Sequence, residues 1–122
     1  MPSAAGLPRE YRAALAAEFK LGTLRPAQEQ VLRAVADGAH VLAVLPTGAG
    51  KSLCFQLPAA LSSGLTLCIS PLIALMRDQV LGLRRRGIRW AGAAHGLQTA
   101  EETERVYAAV SEGRCRLLYV AP

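Results

Sequence analysis

The chain has 122 residues, of which 52% are hydrophobic and 19% are charged. This balance excludes an intrinsically disordered chain and allows one domain with one buried core. The formal net charge of +5 favours a polyanionic partner such as nucleic acid, although many soluble proteins are mildly basic without one.

No targeting or membrane segment is visible in the sequence. Met1–Lys20 lacks the basic and then apolar pattern of a signal peptide, and no run approaches the roughly 18 apolar residues that cross a bilayer. Cys54, Cys68 and Cys115 match no metal-ligand spacing. We therefore expect buried free thiols, no membrane partner and a reducing, cytoplasmic location.

The first part of the chain is predicted to be helical. Residues 1–7 are expected to form a flexible tail, and residues 8–122 one domain. Apolar residues at helical spacing predict a helix over Pro8–Phe19. A second helix is predicted to begin at Pro26, which suits the first helical position, and to end near Asp37.

Two short apolar runs then predict strands. His40–Leu45 is continuously apolar after its first residue and is predicted to be a strand buried on both faces. A helix is expected from Lys51, with Pro58 as a kink or a restart. Leu65–Ser70 is predicted to be a second buried strand.

The remaining chain continues the alternation of helices and strands. Helices are predicted over Leu72–Arg86 and over Thr99–Ser111, the latter with Thr99 and Glu102 in a capping box. The apolar stripe of the first of these helices is Leu72, Leu75, Met76, Val80 and Leu83. Further strands are predicted over Ile88–Ala94 and Arg116–Val120. This order predicts an α/β fold with a mostly parallel sheet covered by helices on both faces.

The strongest local motif is Leu45-Pro46-Thr47-Gly48-Ala49-Gly50-Lys51-Ser52, between a predicted strand and a predicted helix. Gly48 and Gly50 can adopt backbone angles that allow successive N–H groups to surround a phosphate. Lys51 is expected to contact the β- and γ-phosphates of ATP, and the Ser52 hydroxyl to be a ligand of Mg²⁺. The alternative is a glycine-rich turn without a ligand, but a Lys-Ser pair at a helix start has no packing purpose.

Arg25 and Gln28 precede this loop at the start of a predicted helix. The glutamine amide has both a donor and an acceptor, so it can match N6 and N7 of adenine together. Taken alone, these two residues are more compatible with an exposed helix start than with base recognition.

Five stretches of the chain, in order, resemble the motifs of RecQ-family helicases. They are Phe19–Gln28, Leu45–Ser52, Leu53–Ala59, Ser70–Val80 and Leu117–Pro122. The resemblance implies a P-loop NTPase (RecA-like) three-layer fold and an ATP-driven DNA helicase that moves 3′ to 5′. Together the stretches cover most of residues 19–122, and they imply an incomplete first helicase lobe that stops before the family's Asp-Glu-x-His motif.

The resemblance also implies roles for individual residues. Arg25 and Gln28 would contact adenine, with Leu21 in the place of the aromatic residue that usually stacks on the base. Loss of that ring would cost roughly 0.5–1.5 kcal/mol of stacking. Ser70 and Arg77 would contact the backbone of single-stranded or partially duplex DNA, with Gln79 as a further candidate. The resemblance also implies a second helicase lobe in the full-length chain and, for a bacterial protein, an association with the nucleoid.

Three functional classes remain open at this stage. The chain is predicted to be the ATP- and DNA-binding part of a helicase, with Lys51 as its catalytic residue. The first alternative is a module that binds ATP and DNA without hydrolysis, because neither Asp37 nor Asp78 ends a predicted strand or precedes a Glu. The second is a small-molecule kinase, for which the sequence shows neither an acceptor pocket nor a basic lid.

Overall fold

The computed structural model describes residues 6–46, 48 and 50–122. The chain divides into two compact units, Met1–Leu61 and Ser62–Pro122. The elements in chain order are α1 (Arg9–Phe19), α2 (Pro26–Ala36), α3 (Leu53–Leu61), β1 (Thr66–Ile69), α4 (Ile73–Arg85), β2 (Ala91–Ala94), α5 (Ala100–Ser111) and β3 (Leu117–Val120). The first unit therefore has the first three helices, and the second has the described strands.

The first unit is held together by α3, against which α1 and α2 both pack. Each helix contributes a leucine with no exposed surface, namely Leu15, Leu32 and Leu57. Burial of such side chains provides the main stabilisation of a small core. Residues 1–5 of the predicted tail lie outside the described residues, whereas Leu7 is buried and only 4% exposed.

The second unit is a three-stranded parallel sheet in the order β1-β3-β2. The central strand β3 has Leu117 fully buried and Tyr119 only 2% exposed. Both α4 and α5 pack on β2. The two crossovers run in opposite directions across the sheet, and right-handed connections place such helices on opposite faces. The predicted α/β class and parallel sheet are confirmed.

The five predicted helices are confirmed, with bounds that differ by one or two residues. The predicted capping box is present at the start of α5. The Thr99 hydroxyl accepts the Glu102 N–H at 3.1 Å, and the Glu102 carboxylate accepts the Thr99 N–H at 3.1 Å. The hydrogen bond from the Thr99 N–H to the carboxylate, and then the Thr99 side chain, lower the pKa of Glu102, because they stabilise its charged form.

The predicted strand over His40–Leu45 is wrong, because these residues form no strand. Val41 is 41% exposed, Leu42 is 92% exposed and Val44 is 87% exposed, so the run is not buried either. A strand buried on both faces requires neighbouring strands and covering helices. Among the described residues the sheet has only three strands, and none of them pairs with this run.

Burial of the second predicted strand on both faces is also wrong. The strand exists as β1, but Leu67 is 56% exposed and Ile69 is 71% exposed. β1 lies at the edge of the sheet, and both helices of this unit pack on β2 instead. Of the predicted apolar stripe, Met76, Val80 and Leu83 are buried, as predicted. Leu72 and Leu75 are instead 58% and 48% exposed. The strand predicted over Ile88–Ala94 is shorter, since β2 begins at Ala91.

The three cysteines are free thiols, as predicted, but only Cys115 is fully buried. Burial raises the pKa of the Cys54, Cys68 and Cys115 thiols. A raised pKa keeps them protonated near neutral pH, which disfavours metal binding or nucleophilic chemistry.

No helix within residues 6–46 and 50–122 is both long and apolar enough to cross a bilayer.

The contrast between β3 and β1 gives a stability test. Leu117→Ala is expected to lower the free energy of unfolding by about 2–5 kcal/mol, because it leaves a cavity in the core. Leu67→Ala, at an exposed position of β1, is expected to change it by about 0.5 kcal/mol. Urea denaturation followed by circular dichroism measures both, and equal losses would contradict the described burial.

Candidate nucleotide site

The phosphate-loop motif is curled at its two glycines. Gly48 has φ +82° and Gly50 has φ +72°, both in the left-handed region. Such angles turn successive N–H groups toward one side, which makes a concave anion site. Thr47 and Ala49 lie outside the described residues. Leu45 is half-buried and lies in no helix or strand.

Lys51 and Ser52 lie in the turn that opens α3. Ser52 O accepts the Gln56 N–H at 2.9 Å, and Lys51 O accepts the Cys54 N–H at 3.0 Å. The N–H groups at this helix start point away from the helix and provide partial positive charge. The Lys51 side chain is exposed and the Ser52 side chain is half-buried, so both can reach a ligand over the loop. This arrangement can bind an anion at the helix N-terminus.

The start of α2 contacts the loop, which the sequence did not predict. The Gln28 amide nitrogen donates to the Gly50 carbonyl at 3.0 Å, and the Arg25 guanidinium donates to the Gly48 carbonyl. The Gln28 amide oxygen accepts the Arg25 backbone N–H at 2.9 Å. Gln28 is only 7% exposed, so it is not a solvated helix-start residue. The two residues predicted to contact the base thus donate hydrogen bonds to the loop itself.

Leu21 and Lys20 link α1 to this region. Leu21 is 39% exposed, and its N–H donates to the Leu15 carbonyl at 3.1 Å. Lys20 has φ +57°, a left-handed angle at the C-cap of α1. Glycine is the usual residue at such a position, because it has no side chain to clash with the backbone. Lys20 therefore adopts this angle at a cost in backbone strain.

The predicted DNA-contacting residues are in the second unit. Ser70 follows β1, where its hydroxyl accepts the Leu72 N–H at 3.2 Å and its N–H donates to the Val120 carbonyl at 3.0 Å. Arg77 is exposed on α4. Gln79 accepts a hydrogen bond from the Tyr119 hydroxyl at 3.2 Å, so its side chain is engaged within the unit.

Arg77 lines a cleft of about 720 Å³ between α4 and α5. The charged members of its lining are Arg77, Asp78, Arg84, Glu102 and Arg105. The three arginines and two acids give the lining a small excess of positive charge. The Glu102 carboxylate is already engaged in the capping box of α5. The described geometry therefore allows phosphate contacts at Arg77, without making the cleft strongly basic.

Comparison with known proteins identifies the family. The model of the DEAD/DEAH box helicase family matches residues 25–122. The chain belongs to the DEAD/DEAH box helicase family.

Individual relatives of this helicase chain are RecQ proteins. It is 45% identical over 104 residues to the ATP-dependent DNA helicase RecQ of Haemophilus influenzae, covering 85% of this chain and 17% of that protein. It is 44% identical over 108 residues to RecQ of Pasteurella multocida, covering 88% and 17%. It is 42% identical over 101 residues to ATP-dependent DNA helicase Q-like 4B of Arabidopsis thaliana, covering 82% and 9%. The chain thus spans less than a fifth of each of these relatives.

The carboxylates in the described part of this helicase chain do not form a metal-binding cluster. Within residues 6–46, 48 and 50–122, no group of three or more His, Cys, Asp or Glu side chains is placed to hold a metal ion. Asp37 is exposed at the end of α2, and Asp78 is exposed on α4.

The glycine at position 50 gives the test of this geometry. Gly50→Ala introduces a methyl group that would collide with the Gln28 amide, at a left-handed backbone angle. It is expected to lower the free energy of unfolding by roughly 1–3 kcal/mol. Gly22→Ala is the control, because its new methyl group would meet nothing within 4 Å. Equal melting temperatures for the two variants would contradict the described loop.

Proposed function

We propose that this chain is the nucleotide-binding part of a RecQ-like helicase, which couples ATP hydrolysis to 3′–5′ unwinding of DNA in the longer protein. The observation that carries the proposal is the loop curled at Gly48 and Gly50 directly before the N-terminus of α3. The names of the relatives, which are ATP-dependent DNA helicases, support the choice of reaction.

Triphosphate binding is assigned to Lys51, Ser52 and the backbone of the loop from Thr47 to Gly50. In this proposal the ammonium group of Lys51 neutralises charge on the β- and γ-phosphates, which makes it the catalytic residue of this part of the chain. The Ser52 hydroxyl would be the ligand that this part of the chain provides for Mg²⁺, with phosphates and water among the other ligands. Mg²⁺ held there would supply positive charge next to the phosphate oxygens.

Selection of ATP over other triphosphates is assigned to the start of α2. A glutamine amide has two N–H donors and two acceptor lone pairs. Gln28 uses one of each within the protein, so one donor and one acceptor are left for N7 and N6 of adenine. Arg25 lies beside it, and the exposed side chain of Leu21 offers an apolar surface to the base. This geometry supports adenine recognition with weaker stacking than an aromatic residue would provide.

DNA binding is assigned to Ser70 and Arg77. Ser70 follows a parallel strand at its carboxyl end, which is the edge where α/β sheets bind ligands. The net charge of +5 and the exposed guanidinium of Arg77 favour contact with phosphates. A protein with this substrate and three free cysteines is expected in the cytoplasm, at the nucleoid of a bacterium.

A second candidate function is binding of ATP and DNA without hydrolysis by these residues. It is supported by the described carboxylates, because Glu102 serves a helix cap and Asp37 and Asp78 are solvated. Turnover would then require carboxylates and an arginine from further parts of the longer protein, including a second lobe.

The role of Lys51 is tested by nucleotide titration. Lys51→Ala is expected to lower the affinity for Mg-ATP roughly 30-fold or more, because a charge-assisted phosphate contact is lost. Arg12→Ala is the control, since Arg12 is an exposed cation of the same unit. Isothermal titration calorimetry measures both, and an unchanged affinity for Lys51→Ala would remove the assignment.

The role of Arg77 is tested by salt dependence. Arg77→Ala is expected to weaken binding of an oligothymidylate and to reduce the slope of log K against log salt by about 0.7, for one lost phosphate contact. Arg114→Ala is the matched control, because it removes the same charge from an arginine paired with Glu112 at 2.7 Å. Fluorescence anisotropy at several salt concentrations measures the slopes, and equal slopes in the two variants would exclude a specific contact at Arg77.

A further inference from the structure

Gln28 makes hydrogen bonds that its proposed role in base recognition does not require. A residue that only reads a base would keep its amide directed at the base. Here Gln28 is 7% exposed, and its amide bridges two backbone groups, the Arg25 N–H at 2.9 Å and the Gly50 carbonyl at 3.0 Å. The amide therefore has a structural task in the phosphate loop.

The consequence for the loop follows from peptide geometry. None of the described peptide bonds is cis. In a trans peptide the C=O of one residue and the N–H of the next point in opposite directions. A bond from Gln28 to the Gly50 carbonyl therefore turns the Lys51 N–H away from α2. That N–H is one of the donors of the phosphate loop and of the α3 N-terminus.

The backbone conformation of Gly50 allows this hydrogen bond. Its φ of +72° and the absence of a side chain allow the Gln28 amide to approach the backbone directly. A methyl group at this position would collide with the amide nitrogen, so the close approach depends on glycine. The Arg25 guanidinium contacts the Gly48 carbonyl from the same helix start. The loop is thus fixed at two carbonyls from outside the motif.

We propose that Gln28 is a positioning residue for the phosphate loop, which sets the affinity for the triphosphate itself whatever base it carries. This inference rests on the proposed ATP site and extends it from base selection to phosphate binding. Loss of the Gly50 bond leaves the loop free to rotate the Lys51 N–H out of line. Ligands without a base would then bind more weakly too, which base reading alone does not cause.

The probe that separates the two roles is inorganic tripolyphosphate with Mg²⁺, because it has the phosphates of ATP and no base. Gln28→Met removes both amide bonds without adding charge. Gln28→Glu keeps the acceptor for the Arg25 N–H, and with it the start of α2, but loses the donor to Gly50. Each variant is expected to lower the affinity for Mg-ATP and for Mg-tripolyphosphate by about tenfold, the effect of one buried hydrogen bond.

Two controls match these changes. Gln30→Glu adds the same charge at an exposed position of α2, and it measures the repulsion of phosphate by charge alone. Repulsion of this kind weakens with salt, whereas a change in loop position does not. Gln98→Met breaks a bridge of the same type in the other unit, where Gln98 binds the His95 N–H at 3.1 Å and the Ala93 carbonyl at 2.7 Å. Both controls are expected to keep the wild-type affinities.

The outcomes are distinct when titration calorimetry is combined with melting temperatures. Equal losses for ATP and tripolyphosphate in Gln28→Glu, at the wild-type melting temperature, support positioning of the loop. A loss for ATP with unchanged tripolyphosphate affinity overturns this inference and leaves the ATP site standing. A wild-type chain that binds neither ligand overturns the ATP site, and this inference with it.

Discussion

The hydrogen bond from the Gln28 amide to the Gly50 carbonyl joins the two halves of the candidate nucleotide site. The loop cannot hold a phosphate unless its N–H groups point the same way, and backbone at positive φ is intrinsically costly for most residues. Glycine removes the steric cost but leaves the segment with many accessible conformations. A donor from a buried side chain on α2 restricts that freedom, and the same residue is the one proposed to contact the base.

The helices of this chain were predictable because their signals are local. Apolar spacing, Pro26 at a first helical position and the Thr99–Glu102 capping box each act within a few residues, and α2 and α5 begin where these signals indicate. The run His40–Leu45 shows the opposite case. Its composition predicts a buried strand, but a strand exists only when another chain segment accepts its N–H and C=O groups. No described strand does so, and Leu42 and Val44 are left in solvent.

The candidate site was predictable in its chemistry and not in its connections. Gly48, Gly50, Lys51 and Ser52 were identified from residue type and order, because phosphate binding uses the backbone and one ammonium group. The bonds from Arg25 and Gln28 to the loop carbonyls depend on how α2 packs on α3, which no local pattern records. One signal was available in retrospect. Gln28 is the third residue of α2, and the side chain of its N-cap residue, Arg25, has no hydrogen-bond acceptor. An amide at such a position has donors that its own helix does not satisfy, which indicates partners beyond that helix.

The distribution of charged groups bears on whether nucleotide binding and turnover are separable in this chain. The groups proposed to bind phosphate are backbone N–H groups and Lys51, all close together in sequence, so they need only one loop and one helix start. Hydrolysis requires carboxylates that hold Mg²⁺ and direct water, whereas Glu102 is engaged in a cap and Asp37 and Asp78 are exposed. The chain spans 17% of the Haemophilus influenzae RecQ protein. In the proposed function, this small part would bind ATP, and turnover would depend on groups supplied by the longer protein.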